Sequence, residues 1–149
     1  MKYGVDTLGF EEKNILLFGR SLGSAVAIDL AQGKDLFGVI LVSPFTNAKA
    51  VFDEAGPVAR LLIKDKNNFI NTSFRNLEKA VNIKAYTLVI HGLGDSLIPF
   101  KFGEQIFNSL PGSKELTALE GADHNDFGHR ESSDIDLVYW NAVRTVYAR

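Results

Sequence analysis

Ser21, Asp95 and His124 are residues whose types suit nucleophilic catalysis in this 149-residue chain. A serine hydroxyl is a weak nucleophile until a histidine accepts its proton. A carboxylate can hold that histidine in the required tautomer and stabilise the imidazolium that forms. We therefore predict that Ser21 is a nucleophile, that His124 is its base, and that Asp95 is the acid that orients the base.

Ser21 lies in a Gly-Arg-Ser-Leu-Gly segment that follows an apolar run, Ile15–Phe18, and precedes a helix-forming segment. A strand, a sharp turn and a helix form the context in which Gly-x-Ser-x-Gly presents a nucleophile. Larger side chains at Gly19 and Gly23 are expected to collide with the neighbouring strand and helix. The helix would then begin beneath Ser21, with the Leu22 N–H directed at a developing oxyanion.

Two other interpretations of this turn stay open at the level of the motif. A glycine-rich turn between a strand and a helix can have a purely structural role. Such a turn can also bind phosphate, because the N-terminus of a helix attracts anions. The segment lacks both Gly-x-Gly-x-x-Gly and a Gly-Lys-Ser/Thr ending, which disfavours a phosphate loop.

Composition indicates a single soluble globular domain, with 46% apolar and 23% charged residues. A net charge of -2 gives no electrostatic reason to expect a nucleic-acid partner. The chain has no cysteine, which excludes a thiol nucleophile, disulfides and cysteine metal clusters. It has neither an apolar run long enough to span a membrane nor the apolar core of a signal peptide, so we predict a cytoplasmic protein.

Alternating strand-like and helix-like segments predict an α/β protein with a parallel sheet of about four strands and flanking helices. The predicted strands are 15–18, 37–44, 86–91 and 115–120. Charges around the last strand suit an outer edge of the sheet, and Ser133-x-x-Asp136 is expected to cap the final helix. Because the carboxyl ends of parallel strands share one edge, Ser21, Asp95 and His124 are expected to meet there.

Residues 45–84 form an irregular, largely helical stretch between two predicted strands. Insertions of this kind often lie over a site and shape its pocket, so we predict a short helical, cap-like insertion. Ordinary helices that cover the sheet are the alternative.

Several polar residues near the predicted site have open roles. His91 ends a strand and is predicted to be structural rather than catalytic, and His129 is predicted to be solvated, with a second role as the fallback base. Asp123 precedes His124 and is a competitor of Asp95 for the imidazole. Arg20 either meets an anionic substrate or pairs with a carboxylate.

A metal site is disfavoured, and neither a metal nor a cofactor is expected. The candidate ligands would be His91, Asp95, His124 and Asp126. Two glycines between the first two of these residues rule out the helical spacing that usually presents paired ligands.

Four motifs together resemble the α/β-hydrolase superfamily: Gly-Arg-Ser-Leu-Gly-Ser, Ser-Pro-Phe-Thr, His-Gly-x-x-Asp-x-x-Ile-Pro and a His-Asn-Asp after the last strand. The chain is most similar to the peptidase-like branch of intracellular serine hydrolases, which includes esterases, thioesterases and protein-depalmitoylating enzymes. The resemblance runs from about Gly4 to the C-terminus. It implies a small-molecule or acyl substrate, cleavage of an ester or thioester through an acyl-enzyme on Ser21, and Leu22 as one donor of the oxyanion hole.

The resemblance also implies that the N-terminal strands of the superfamily fold are missing from residues 1–149. Members of the superfamily have four further strands before the nucleophile, and the loop after the third carries a second oxyanion donor. We therefore expect residues 1–149 to form a single, N-terminally truncated domain that corresponds to the C-terminal half of the fold. Ile15–Phe18 would then be an apolar sheet edge that pairs with a complementing N-terminal half or with a second copy. The loss of one oxyanion donor costs roughly 10²–10³ in rate, so the alternative to an enzyme is a non-catalytic half-domain.

Overall fold

A computed structural model describes residues 2–54, 74–128 and 133–148 of the chain. Short helices and a 3-10 turn at Glu12–Asn14 accompany a repeated strand-and-helix order. The strands are β1 (Leu16–Arg20), β2 (Gly38–Val42), β3 (Thr87–Gly92) and β4 (Lys114–Leu119). The described helices are α1 (Lys2–Asp6), α2 (Leu22–Ala31), α3 (Ala48–Glu54), α4 (Asn76–Ala80), α5 (Phe100–Ser109) and α6 (Asp134–Tyr147).

The four strands form one parallel sheet in the order β1-β2-β3-β4. All residues of β2 and β3 are buried, because parallel strands in the middle of an α/β sheet are covered on both faces. The prediction of a four-stranded parallel sheet with flanking helices is confirmed. The charged strand β4 lies at an outer edge, as predicted.

Side chains alternate between two apolar layers along each strand. Val39 and Leu41 of β2 pack on the face that also holds Ile28 of α2 and Ile106 of α5. The next residues along β2 pack on the opposite face, which holds Val143 of α6. The sheet is therefore a rigid layer between helices, and its carboxyl edge is free to carry loops.

The beginning of α6 follows the predicted capping pattern. Ser133 is the N-cap, and its hydroxyl oxygen accepts a hydrogen bond from the backbone N–H of Asp136 at 3.1 Å. The same hydroxyl donates to the Asp136 carboxylate at 3.0 Å. The predicted start of this helix is confirmed.

The predicted insertion is described only in part. Helices α3 and α4 belong to it, and Asn76 ties α4 to the end of β2 by donating to the carbonyl oxygen of Phe45 at 2.9 Å. Residues 55–73 lie outside the described residues. The cap-like role of 45–84 stays a prediction.

Within the described residues, β1 pairs with β2 and has no strand on its other side. Phe18 in the middle of β1 is 52% exposed. The strand is thus an apolar edge, the type of edge that can pair with another chain. In the described parts of the chain, no helix is both long enough and apolar enough to cross a bilayer.

Candidate active site

Ser21 stands on a strained backbone between β1 and α2. Its φ of 51° and ψ of -121° lie in a region that residues with a side chain rarely adopt. The Ser21 N–H donates to the carbonyl oxygen of Val42 at 2.8 Å. Its carbonyl oxygen accepts from the N–H of Ser24 at 2.9 Å and from the Ser24 hydroxyl at 2.6 Å. These contacts fix the turn, so that the strain is held by the sheet and the helix.

The two glycines of the motif differ in what surrounds them. A Cβ atom on Gly19 would lie 2.4 Å from the carbonyl oxygen of Gly23 and 2.8 Å from Cβ of Ala27. Any side chain at Gly19 would therefore push β1 and α2 apart, as predicted. Among the described residues the same prediction for Gly23 is wrong, because none of their atoms would lie within 4 Å of a Cβ there. Gly23 contributes its backbone carbonyl to the close contact, and that carbonyl is present in any residue.

The side chains of Ser21, His124 and Asp95 meet at the carboxyl edge of the sheet. Nε2 of His124 lies 3.1 Å from Oγ of Ser21, and Nδ1 of His124 lies 2.8 Å from Oδ2 of Asp95. A carboxylate can only accept, so Nδ1 carries the proton in this contact and Nε2 is left to accept from the serine. The histidine and the aspartate are 7% and 5% exposed. The arrangement can move a proton from the serine hydroxyl to the imidazole.

Asp95 is held as an anion by several donors. Burial alone would raise its pKa, but hydrogen bonds from His91, from the Ile98 N–H and from His124 outweigh burial and hold the pKa well below its usual range. Oδ1 accepts from the N–H of Leu97 at 3.1 Å and from the N–H of Ile98 at 2.7 Å. Oδ2 is therefore the oxygen that faces the imidazole of His124.

His91 is fully buried at the end of β3, behind Asp95. Its Nε2 lies 2.7 Å from the carbonyl oxygen of Ile98 and 3.5 Å from Oδ2 of Asp95. A carbonyl oxygen only accepts, so Nε2 carries a proton there. A Cβ on Gly103 would lie 2.2 Å from Nδ1 of His91, which shows how closely α5 packs on the ring. His91 holds the loop after β3 and is in no position to contact Ser21 in place of His124.

Asp123 faces its own loop and the loop after β3. Its Oδ1 accepts from the backbone N–H groups of His124 and Ser96, both at 2.7 Å. These two N–H groups and the Ser96 hydroxyl donate hydrogen bonds to the carboxylate. They lower its pKa, and the Ser96 N–H contributes most to that change. The expectation that Asp123 competes with Asp95 for the imidazole is wrong, because the Asp123 carboxylate accepts from the Ser96 and His124 N–H groups and from the Ser96 hydroxyl, while Nδ1 of His124 contacts Asp95.

Arg20 contacts the loop that carries His124. Its Nη2 donates to the His124 carbonyl oxygen at 2.6 Å, and its Nη1 donates to the Phe127 carbonyl oxygen at 3.2 Å. The guanidinium also lies over the Phe127 ring, 5.1 Å from its centroid. Among the described residues, Arg20 thus contacts backbone carbonyl groups and the Phe127 ring, and a contact with a substrate anion or with a carboxylate stays a prediction.

Leu22 is the first residue of α2, so its N–H has no acceptor within the helix. That N–H lies at the positive end of the helix, next to Ser21. The Leu22 side chain is 60% exposed. The predicted role in an oxyanion hole stays a prediction.

An apolar pocket of about 230 Å³ opens beside Ser21. Its lining residues come from the turn before α2 and the start of α2, from the segment after β2, from α3, from the residues before α4 and from the loop after β3. They are Ser21, Leu22, Phe45, Ala48, Val51, Phe74, Leu97 and Ile98. An uncharged, apolar group attached to the atom that reacts with Ser21 would fit this lining.

The four candidate metal ligands are engaged in other contacts. Asp95 joins His91 and His124, while the carboxylate of Asp126 accepts from the Asp123 N–H at 3.0 Å. Among residues 2–54, 74–128 and 133–148, no group of three or more histidine or acidic residues is arranged to hold a metal ion. His129, the predicted fallback base, lies outside the described residues.

Sequence reasoning missed three residues that shape the site. Ser96 links the loops after β3 and β4, and Phe127 is fully buried beneath Arg20. Ser43, at the end of β2, has a φ of 46° although it is not glycine. The following Pro44 disfavours helical backbone at Ser43 but favours extended backbone with a negative φ, so it gave no signal for this conformation. Nothing local in the sequence indicated the partners of Ser96 or Phe127.

Curated relatives have significant sequence similarity to the chain, although no family model matches it. The chain is 34% identical over 118 residues to the alpha/beta hydrolase domain-containing protein aho-3 of Caenorhabditis elegans, covering 79% of this chain and 33% of that protein. It is 32% identical over 118 residues to alpha/beta hydrolase domain-containing protein 17B of Homo sapiens, covering 79% of this chain and 38% of that protein. The chain thus spans between a third and two fifths of the length of these relatives.

Solved structures share the fold at low sequence identity. An acylaminoacyl peptidase of Pyrococcus horikoshii superposes with a TM-score of 0.79 at 16% identity, over 99% of this chain and 26% of that one. A monoacylglycerol lipase of Paleococcus ferrophilus gives a TM-score of 0.65 at 19% identity, over 97% of this chain and 72% of that one. The predicted resemblance to the α/β-hydrolase superfamily is therefore confirmed: the sequence similarity covers 79% of this chain, and the shared fold covers 97% to 99% of it.

Proposed function

We propose that the chain is a serine hydrolase that cleaves a carboxylic ester or thioester through an acyl-enzyme on Ser21. The observation that carries this proposal is the continuous hydrogen-bonded path from Ser21 through His124 to Asp95, with contacts of 3.1 and 2.8 Å. The names of the relatives and the hydrolase folds of the solved structures support the same reaction class.

The reaction would proceed in two halves. Oγ of Ser21 attacks the carbonyl carbon of the substrate while Nε2 of His124 takes its proton, and Asp95 stabilises the imidazolium. The Leu22 N–H donates to the oxyanion of the tetrahedral intermediate. The intermediate collapses, His124 returns the proton to the leaving alkoxide or thiolate, and the acyl group stays on Ser21. A water molecule then attacks the acyl carbonyl while His124 takes its proton, and His124 returns that proton to Oγ of Ser21 as the bond to the acyl group breaks and the carboxylic acid leaves.

The pocket beside Ser21 supports an acyl substrate. The described side chains that line it are aliphatic or aromatic apart from Ser21 itself, so this part of the lining offers no partner to a charged group and would favour a hydrocarbon chain. We propose that the acyl part of the substrate enters here, where Leu22 and Leu97 flank the nucleophile.

Labelling with a fluorophosphonate probe, together with hydrolysis of 4-nitrophenyl acyl esters, tests the proposal. The expected result is labelling and turnover by the chain, and loss of both in Ser21→Ala and His124→Ala. Ser113→Ala is the matched serine control, because Ser113 is exposed at the other end of the sheet. His129→Ala tests the predicted fallback base, and labelling of this variant is expected to persist. Labelling that survives in Ser21→Ala would refute the proposal.

A second candidate function is favoured by the edge of β1. We propose, as the alternative, a non-catalytic half-domain that works by pairing this edge with a complementing N-terminal half or with a second copy. The half-exposed Phe18 supports it, since a central apolar side chain of a parallel strand is normally covered. Light scattering after size exclusion would distinguish the two. A monomer that hydrolyses esters would refute the alternative, and an inactive dimer that Phe18→Lys converts to a monomer would support it.

A further inference from the structure

His124 is held by its backbone as well as by its side chain. The structure points to two charged residues, Arg20 and Asp123, that flank its peptide groups. We propose that these two are positioning residues, which fix the imidazole relative to Ser21 by holding the peptide groups of His124 from opposite sides. This inference rests on the proposed function, because it assigns them to the assembly of that same site.

Arg20 holds the carbonyl side. It is the residue before the nucleophile, so its guanidinium links the turn of Ser21 directly to the carbonyl oxygen of His124 at 2.6 Å. The second nitrogen binds the Phe127 carbonyl oxygen at 3.2 Å. The planar guanidinium can make both contacts in one plane and stack on the Phe127 ring, which a lysine ammonium cannot do.

Asp123 holds the amide side. Its Oδ1 accepts from the His124 N–H at 2.7 Å and from the Ser96 N–H at 2.7 Å, while Oδ2 lies 2.9 Å from the Ser96 hydroxyl. Ser96 is the neighbour of Asp95. Asp123 therefore joins the loop of the base to the loop of the acid. These hydrogen bonds also hold the pKa of Asp123 below its usual range, so the carboxylate keeps its acceptor role in mild acid.

The two contacts connect the three loops that carry Ser21, Asp95 and His124. Arg20 sets the distance from β1 to the loop after β4, and Asp123 sets the distance from that loop to the one after β3. Neither side chain touches the reacting atoms. A displacement of about 1 Å in a reacting group can lower the rate on the order of 10²-fold. The loss of either contact should therefore lower kcat, the rate of the chemical step, more than it changes KM.

An anionic substrate at Arg20 is a weaker interpretation of the same residue. Both terminal nitrogens already donate to backbone carbonyls, and the face of the guanidinium is covered by the Phe127 ring. Two of the five guanidinium N–H groups are therefore already engaged, so an anion would have to share the guanidinium with these backbone carbonyls.

Matched variants test the proposal. Arg20→Met keeps an unbranched apolar stem and removes every donor, and Asp123→Leu keeps the branched shape and removes both acceptors. Asp123→Asn restores an acceptor at Oδ1 and is the conservative counterpart. Arg144→Met removes an exposed guanidinium from α6 and is the control for the loss of an arginine. For each variant, kcat and KM for a small soluble ester are measured per serine titrated by fluorophosphonate.

Arg20→Met and Asp123→Leu are expected to lower kcat per titrated serine by about 10- to 100-fold with KM nearly unchanged. Asp123→Asn is expected to recover most of the activity that Asp123→Leu loses, and Arg144→Met is expected to behave as the original chain. An unchanged kcat per titrated serine in both disruptive variants would overturn the proposal. A loss of activity equal to the loss of titratable serine would overturn it as well, since that indicates a folding role only.

A second readout separates this proposal from the proposed function. The Nδ1 proton shared by His124 and Asp95 should give a far-downfield proton resonance, which depends on ring position and not on turnover. The resonance is expected to broaden or vanish in Arg20→Met and to persist in Arg144→Met and Ser21→Ala. A resonance unchanged in Arg20→Met would overturn the positioning role. Activity that persists in Ser21→Ala would instead refute the proposed function.

Discussion

The Asp95→Asn substitution exchanges one carboxylate oxygen for an amide NH2 and leaves the shape of the side chain unchanged. Oδ1 accepts from the N–H groups of Leu97 at 3.1 Å and Ile98 at 2.7 Å. In asparagine only the amide oxygen can accept these two hydrogen bonds, so the NH2 group must take the place of Oδ2. The NH2 group then faces Nδ1 of His124, at the position where Oδ2 now lies 2.8 Å away.

An NH2 group at that position donates to Nδ1 and forces the ring proton onto Nε2. Nε2 then points an N–H at the Ser21 hydroxyl and cannot accept its proton. The buried Nε2–H of His91 lies 3.5 Å from the same position. It would face the new NH2 group, so that two donors would meet without an acceptor between them. The expected fall in kcat is about 10⁴-fold, the size seen where the same exchange imposes the wrong tautomer in a serine protease. This corresponds to about 5 kcal/mol in the activation free energy.

Hydrolysis of a 4-nitrophenyl ester under saturating conditions measures this loss. Asp29→Asn makes the same chemical exchange at an exposed position of α2, where Asp29 pairs with Lys79, and is expected to leave kcat unchanged. Circular dichroism establishes that both variants are folded. A folded Asp95→Asn protein that loses less than about tenfold in kcat would refute the tautomer argument.

Four further predictions concern stability. Gly19→Ala places a methyl group 2.4 Å from the Gly23 carbonyl oxygen and should lower the free energy of unfolding in urea by roughly 1–3 kcal/mol. Gly23→Ala meets no atom of the described residues within 4 Å and should instead raise it by up to about 1 kcal/mol, so equal effects would contradict the packing described for the turn. The depressed pKa of Asp95 stabilises the fold above its ordinary value of 3.8, and this contribution is lost as the pH falls below that value. The difference in Tm between the original chain and Asp95→Asn should therefore shrink from about pH 5 to about pH 3, and a constant difference would contradict the assignment. Ser133→Ala removes the cap of α6 and should cost about 1 kcal/mol in the same urea titration, whereas no change would show that the cap is not needed.

The elements and the meeting of Ser21, Asp95 and His124 could be predicted because their signals are local. Continuous apolar runs mark strands that are buried on both faces, and a parallel topology brings every strand end to one edge. Ser133 indicates the start of α6 through its own hydrogen bonds with a residue three positions away. None of these predictions requires knowledge of a distant side chain.

The roles of Arg20 and Asp123 could not be predicted, because their partners are distant in sequence. Arg20 binds carbonyl groups 104 and 107 residues away, and nothing near Arg20 distinguishes such partners from a substrate. Asp123 turns away from the imidazole because Ser96, 27 residues earlier, supplies two donors. The error at Gly23 has a similar cause, since the motif shows that β1 and α2 approach closely but not which residue is crowded.

The purely parallel sheet also has a consequence for how the chain folds. Neighbouring strands are joined by crossovers, with no hairpin, and the hydrogen bond between Ser21 and His124 spans 103 residues. Topologies dominated by such non-local pairings fold slowly, because the entropy of closing long loops is lost before the contacts form. The contact between Ser21 and His124 exists only in molecules whose sheet is complete, since Ser21 follows β1 and His124 follows β4. During refolding, the extent of Ser21 labelling should therefore measure the fraction of fully folded molecules. It should rise later than the far-UV circular dichroism signal of the helices.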